Sequence, residues 1–97
     1  MLTSKQRAML RGLASKEQDV AIIGKEGLTQ SVIDSIEQVL NARELIKIKV
    51  LQTCELSPRG VADIIEKDIK AEVAGVVGTK VIVYRKSNKK GVKHIEI

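Results

Sequence analysis

From Leu45 to Leu51 the chain alternates with a period of two: Ile46, Ile48 and Val50 fall on one side, Lys47 and Lys49 on the other. That is the spacing of a strand with one face on a core and a basic face toward water. A sheet therefore has to form around it, and the flanking segments supply the rest. Upstream, Val32, Ile33, Ile36, Val39 and Leu40 make the stripe of an amphipathic helix, ending near 41–43. Thr29 is its candidate N-cap, with Leu28 and Ile33 at the spacing of a hydrophobic staple. Downstream, Ser57 and Pro58 start another helix as N-cap and first helical residue, with Val61, Ile64, Ile65 and Ile69 as its stripe.

The remaining elements follow from the same two periods. Residues 3–13 read as a helix in which Ala8, Met9 and Leu13 share a face, with Lys5, Arg7 and Arg11 elsewhere around it. Residues 20–23 form a continuous apolar run, as expected of a strand covered on both faces. Residues 73–77 and 80–84 are β-rich runs joined by Gly78-Thr79, a hairpin turn. Residues 94–97 have the pattern of a last short edge strand. The expected fold is α/β: one compact domain over residues 1–97, in the order α-β-α-β-α-β-β, with helices packed on an open four-stranded mixed sheet. Its strand–helix–strand passages imply crossovers, right-handed where the strands are parallel.

The chain has 97 residues with 43% hydrophobic, enough for one core. One cysteine, Cys54, excludes an internal disulfide and lacks partners for a zinc site, so it reads as a small buried hydrophobe. The first residues hold no apolar leader, and no apolar run is long enough to cross a membrane. These features point to a cytoplasmic protein without metal, cofactor or membrane attachment, expected as a monomer.

Charge is segregated. Residues 1–25 carry five basic side chains against two acidic, 26–78 six against nine, and 79–97 six against one. Basic ends flanking an acidic middle make a basic face if the fold joins them, and such a face suits a polyanion.

The segment 22–29, Ile-Ile-Gly-Lys-Glu-Gly-Leu-Thr, carries the chemistry. A chain leaving a strand and turning into a helix uses glycine, which tolerates positive φ and lets a phosphate approach the backbone. The following helix offers unpaired N–H groups and the positive end of its dipole. Lys25 adds charge, whereas Glu26 opposes an anion unless it points away. Gly75-Val76-Val77-Gly78 has the same spacing but leads into a strand, so it offers no helix terminus. Tyr84, the sole aromatic, cannot build a base-stacking platform, so contacts should be chiefly to phosphate and sugar. Catalysis has no support: His94 is the only histidine, and no P-loop, dinucleotide fingerprint or zinc spacing occurs.

Three motifs in order, 24–29 between strand and helix, 44–50 and 78–85, resemble a stand-alone bacterial CRM domain of the YhbY type, across nearly the whole chain. The resemblance implies a fold like the C-terminal domain of bacterial translation initiation factor three. It further implies association with ribosomal RNA in precursors of the large subunit; related plant domains act in group II intron splicing. It assigns RNA binding to Gly24, Lys25, Glu26 and Gly27. The segment 22–33 is also similar to the KH signature, but KH domains place the loop between two helices. The expected RNA surface comprises that loop, Thr29, Lys5, Arg7 and Arg11 on the first helix, Lys47 and Lys49 on a strand, and Arg85. An adaptor binding protein through the acidic or apolar middle is the alternative from another class.

Overall fold

The computed structural model describes residues 2–87, 91 and 95. Its elements are α1 (Ser4–Ala14), β1 (Asp19–Ile23), α2 (Gln30–Arg43), β2 (Leu45–Val50), α3 (Pro58–Ile64) running into a π-helical turn (Ile65–Ile69), β3 (Glu72–Val77) and β4 (Lys80–Tyr84). The four strands lie in the order β1-β2-β4-β3; β1 is parallel to β2, and β4 is antiparallel to both of its neighbours. The mixed four-stranded sheet with helices packed on it matches the sequence expectation. The strand read at 94–97 lies outside the described residues, except for Ile95.

Alternation on β2 sets Ile46, Ile48 and Val50 on a core as read, but the face of Lys47 and Lys49, read as turned to water, is partly covered by α1. Ile46, Ile48 and Val50 are buried with Ile36 and Leu40 of α2 and Val61 and Ile65 of the third helical segment. On the other side α1 sets Leu10 and Ala14 against Leu45, Ala74, Ile82 and Tyr84. Each helix starts on a side-chain cap: Thr3 in a reciprocal capping box with Gln6, Thr29 on the Val32 amide, and Ser57 on the Gly60 amide.

Three details correct the sequence reading. Helix α1 turns a different side inward: Leu10 and Ala14 are fully buried, while Met9 and Leu13 are 42% and 44% exposed. The small Ala74 and Gly75 opposite let the narrow 10/14 stripe seat closely, with the stem of Arg11 laid over Gly75. Secondly, β1 is an edge strand covered by α2 on one face only, because α1 packs over β2, β4 and β3. Ile22 is therefore 59% exposed. Thirdly, the last helix widens into a π turn. Val61, Ile65 and Ile69 recur every four residues and are all buried. An ideal α-helix would carry Ile69 about 80° off the direction of Val61. The wider turn reduces that drift and keeps all three on the sheet.

Candidate nucleic-acid interface

The glycine pair sits where β1 meets α2. Ile23, buried at the end of β1, accepts the Leu51 amide at 2.8 Å, so the turn starts from the rigid β1–β2 pair. Gly27 donates to the Gly24 carbonyl at 3.0 Å, closing a four-residue turn with Lys25 and Glu26 exposed at its corners. Gly27 has φ +70°, so its glycine is required by the backbone. Gly24 is different: a Cβ there would meet Leu51 Cδ1 at 3.4 Å and Thr53 Oγ1 at 3.6 Å, ordinary contacts. The fold itself does not demand glycine at 24.

The turn uses some of its own donors. The Thr29 amide goes to the Gly27 carbonyl at 3.2 Å, and the Val32 amide to Thr29 Oγ1 at 3.3 Å. Gln30 and Ser31, exposed in the first turn of α2, keep amides with no acceptor among the described residues. These two donors, rather than those of Gly27 and Thr29, face the solvent at the positive end of the helix. Because a strand precedes the turn, the arrangement is not the helix–loop–helix setting of a KH domain.

The expected RNA-contacting residues fall into two groups. Lys49, the partner of Ile22, lies beside the turn, and Lys47, the partner of Asp19 at the start of β1, shares its face farther from the turn; the heads of Lys25, Lys47 and Lys49 meet no acceptor among the described residues. Lys5 is exposed on the first turn of α1. The arginines, by contrast, are engaged within the protein. Arg7 donates to the Ser4 hydroxyl at 3.3 Å and lines a cavity with Glu66 and Glu72. Arg11 donates to the Ala74 carbonyl at 2.9 Å, and a Cβ on Gly75 would stand 2.6 Å from its Cδ. Gly75, one of the second glycine pair, thus makes room for an arginine. Arg85 ties the helical layer together: it donates to the Ile69 carbonyl at 2.9 Å and to Asn41 Oδ1 at 3.0 Å, with Glu37 Oε1 at 3.5 Å.

Arg85 also lies at the far end of the sheet from the turn. Its amide bonds the Glu44 carbonyl before β2 begins, whereas the turn meets the chain just after Val50, about 20 Å away at the usual rise per strand residue. Lys80 was missed by the sequence reading. It is the direct cross-strand partner of Lys49, on the same face, and its ammonium pairs with Asp19. Only the β2–β4 register could reveal it.

Cys54 is a buried, free thiol, as expected. The phenol of Tyr84 is held above its usual pKa of 10.0, first by burial and then by the carboxylates of Glu44 and Glu72. His94 lies outside the described residues.

The model of the CRS1/YhbY (CRM) domain matches residues 2–85. The chain belongs to this family. It is 35% identical over 97 residues to the Probable RNA-binding protein YqeI of Bacillus subtilis, covering 100% of this chain and 99% of that one. An RNA-binding protein of Haemophilus influenzae is 35% identical over 86 residues, 89% of this chain and 87% of its own. The solution structure of the Staphylococcus aureus hypothetical protein SAV1595, for which RNA binding is proposed, superposes with a TM-score of 0.82 at 35% identity, covering 100% and 99%. This CRM chain therefore shares its architecture with that Staphylococcus aureus protein and its sequence pattern with relatives whose names refer to RNA.

Proposed function

We propose that this CRM domain is a non-catalytic, cytoplasmic RNA-binding protein that grips the sugar-phosphate backbone of structured RNA at the 24–27 turn. One observation carries the reading: Gly24 has no role in the fold that alanine could not fill, yet it stands beside exposed Lys25 at the mouth of α2. A phosphate approaching the main chain is the contact that excludes a Cβ there. The names of the relatives support RNA as the partner, and the family resemblance supports precursors of the large ribosomal subunit. The lack of aromatics other than Tyr84, itself buried, favours backbone over base contacts.

Two substitutions test the turn. Gly24→Ala should leave the thermal midpoint unchanged while weakening RNA binding, and Lys25→Asp should do the same through charge. Wild-type affinity in both would remove the turn from the mechanism. For the ribosomal part, crosslinking in cells and sequencing of bound RNA should enrich large-subunit ribosomal RNA, with the enrichment lost in Gly24→Ala. Scattered RNA that ignores the variant would reduce the reading to generic basic attraction. Exposed Met9 and Leu13, one turn apart on α1, favour a protein-binding adaptor as second reading, through the first helix rather than the middle of the chain. A protein partner that survives nuclease and high salt, and is lost in Met9→Ser, would support it.

A further inference from the structure

The sheet face on which α1 packs has a part that α1 does not cover, and that part is not a random surface. Across all four strands one row of direct partners runs Ile22, Lys49, Lys80, Val77. Two lysines stand opposite each other at its centre, and like charges in that relation destabilise a sheet. Its flanks are aliphatic, with Ile22 59% and Val77 54% exposed. Neither core cluster of the described residues includes these four side chains. Three inter-strand spacings make the row about 14 Å wide.

The row holds a resident anion. Asp19 of β1 faces the same side, beside Lys47, and its Oδ2 takes the Lys80 ammonium across β2. Its Oδ1 is buried with no hydrogen-bond partner among the described residues. Among the described residues one carboxylate therefore offsets three lysines, leaving Lys47 and Lys49 without counter-charge. The row also continues into the glycine turn, since Ile22 stands two residues before Gly24.

We propose that the RNA backbone crosses the sheet over this row, its phosphates on Lys49 and Lys80 and its riboses against Ile22 and Val77, and that Asp19 holds Lys80 until phosphate displaces it. The inference rests on the RNA-binding reading above and extends it from the turn to a second, contiguous contact. Charge complementarity selects the occupant. A polyanion relieves the Lys49–Lys80 repulsion, whereas a protein partner of ordinary composition does not. With no aromatic side chain on the row, sugar and phosphate are the groups it fits.

The test uses the full chain and a fluorescent RNA hairpin, with affinity measured as a function of salt. Lys49→Gln should weaken binding several-fold and flatten the log–log salt slope by about 0.7–0.9, the release expected for one phosphate contact. Lys49→Arg should keep the slope. Asp19→Asn should tighten binding several-fold by freeing Lys80. Asp68→Asn makes the same charge change on the exposed π turn of the opposite layer, and should tighten it far less.

Equal effects of the two Asp→Asn variants, or an unchanged slope in Lys49→Gln, would overturn the proposal. If Asp19→Asn does not fold, Lys49→Gln alone decides, because its head group is unpaired. A Gly24→Ala variant that weakens binding while the row variants do not would reject the row and keep the turn. A wild-type chain that binds no RNA would reject the underlying reading. Self-association lost in Ile22→Ser, with RNA binding intact, would assign the row to a second copy and overturn the proposal.

Discussion

The two ends of the sheet both carry cations and use them in opposite ways. At the end where Tyr84 pairs with Leu45, Arg85 is locked between helices by a backbone carbonyl and the Asn41 side chain. At the other end Lys25 on the turn and half-exposed Lys49 on the part of the sheet beyond α1 have no acceptor among the described residues. The chemistry of the two side chains fits the division. Guanidinium offers five donors in a rigid fork and can satisfy several fixed acceptors at once, while an ammonium is a mobile point charge. Net charge alone treats them as equivalent. The fold separates positive charge that holds the protein together from positive charge available to a partner.

The sharpest way to break this comparison is Arg85→Ala. Losing charged hydrogen bonds to the Ile69 carbonyl and Asn41 should cost about 2–3 kcal/mol in chemical denaturation. Affinity for RNA in the protein that remains folded should be unchanged. Arg85→Lys should recover less than half of the loss, since one ammonium cannot replace the fork. A large drop in RNA affinity with normal stability would place Arg85 in the interface and erase the division.

Gly75→Ala comes next. The added carbon must displace the Arg11 stem anchored on Ala74, at an expected cost of about 1–2 kcal/mol by overpacking. Equal stability of mutant and parent would show that Arg11 is free to move and available outside. At the open end, Lys47→Gln should shift stability by no more than about 0.5 kcal/mol, as for other surface changes. It should nevertheless lower RNA affinity measurably; stability loss without affinity loss would reverse the assignment.

The smallest effect concerns pH. Tyr84 is the only aromatic residue, so near-ultraviolet absorbance reports its phenol alone. Its raised pKa means that the folded state holds the proton more tightly than the unfolded one, whose value lies near 10.0. The resulting stabilisation is fully present below pH 10 and is lost as pH rises through the folded value. Phenolate absorbance should therefore appear at higher pH in the folded chain than in denaturant, and coincident titrations would contradict the burial of Tyr84.

Most of the fold was readable from residue patterns, and its failures have a common cause. Period, caps and turn glycines located every described strand and α-helix, though not the π turn, because Thr29, Ser57 and Gly78 act locally. Strand order is not local. Placing β1 at an edge exposes Ile22, and pairing β4 with β2 brings Lys80 beside Lys49; neither follows from spacing along the chain. The same limit applies to α1, whose sequence permits more than one apolar stripe. The choice of Leu10 and Ala14 depends on Ala74 and Gly75, more than sixty residues away. For the candidate site, the turn was legible as a unit, but the internal engagement of Arg11 and Arg85 was not, since their acceptors are distant carbonyls.

Glu44 carries one last consequence. It closes α2 at φ +66°, a conformation that L side chains rarely adopt, and its side chain is completely buried. Its two carboxylate oxygens accept the amides of Ser87 at 2.6 Å and Ile95 at 2.7 Å. Ser87 and Ile95, beyond the last strand, are thereby fastened to the interior and belong to the folding unit. A chain cut after Arg85, tidy by strand boundaries, would strip both amides from an acid that water cannot reach. Such a shortened domain should be a poorer starting point for biophysical work than the longer one.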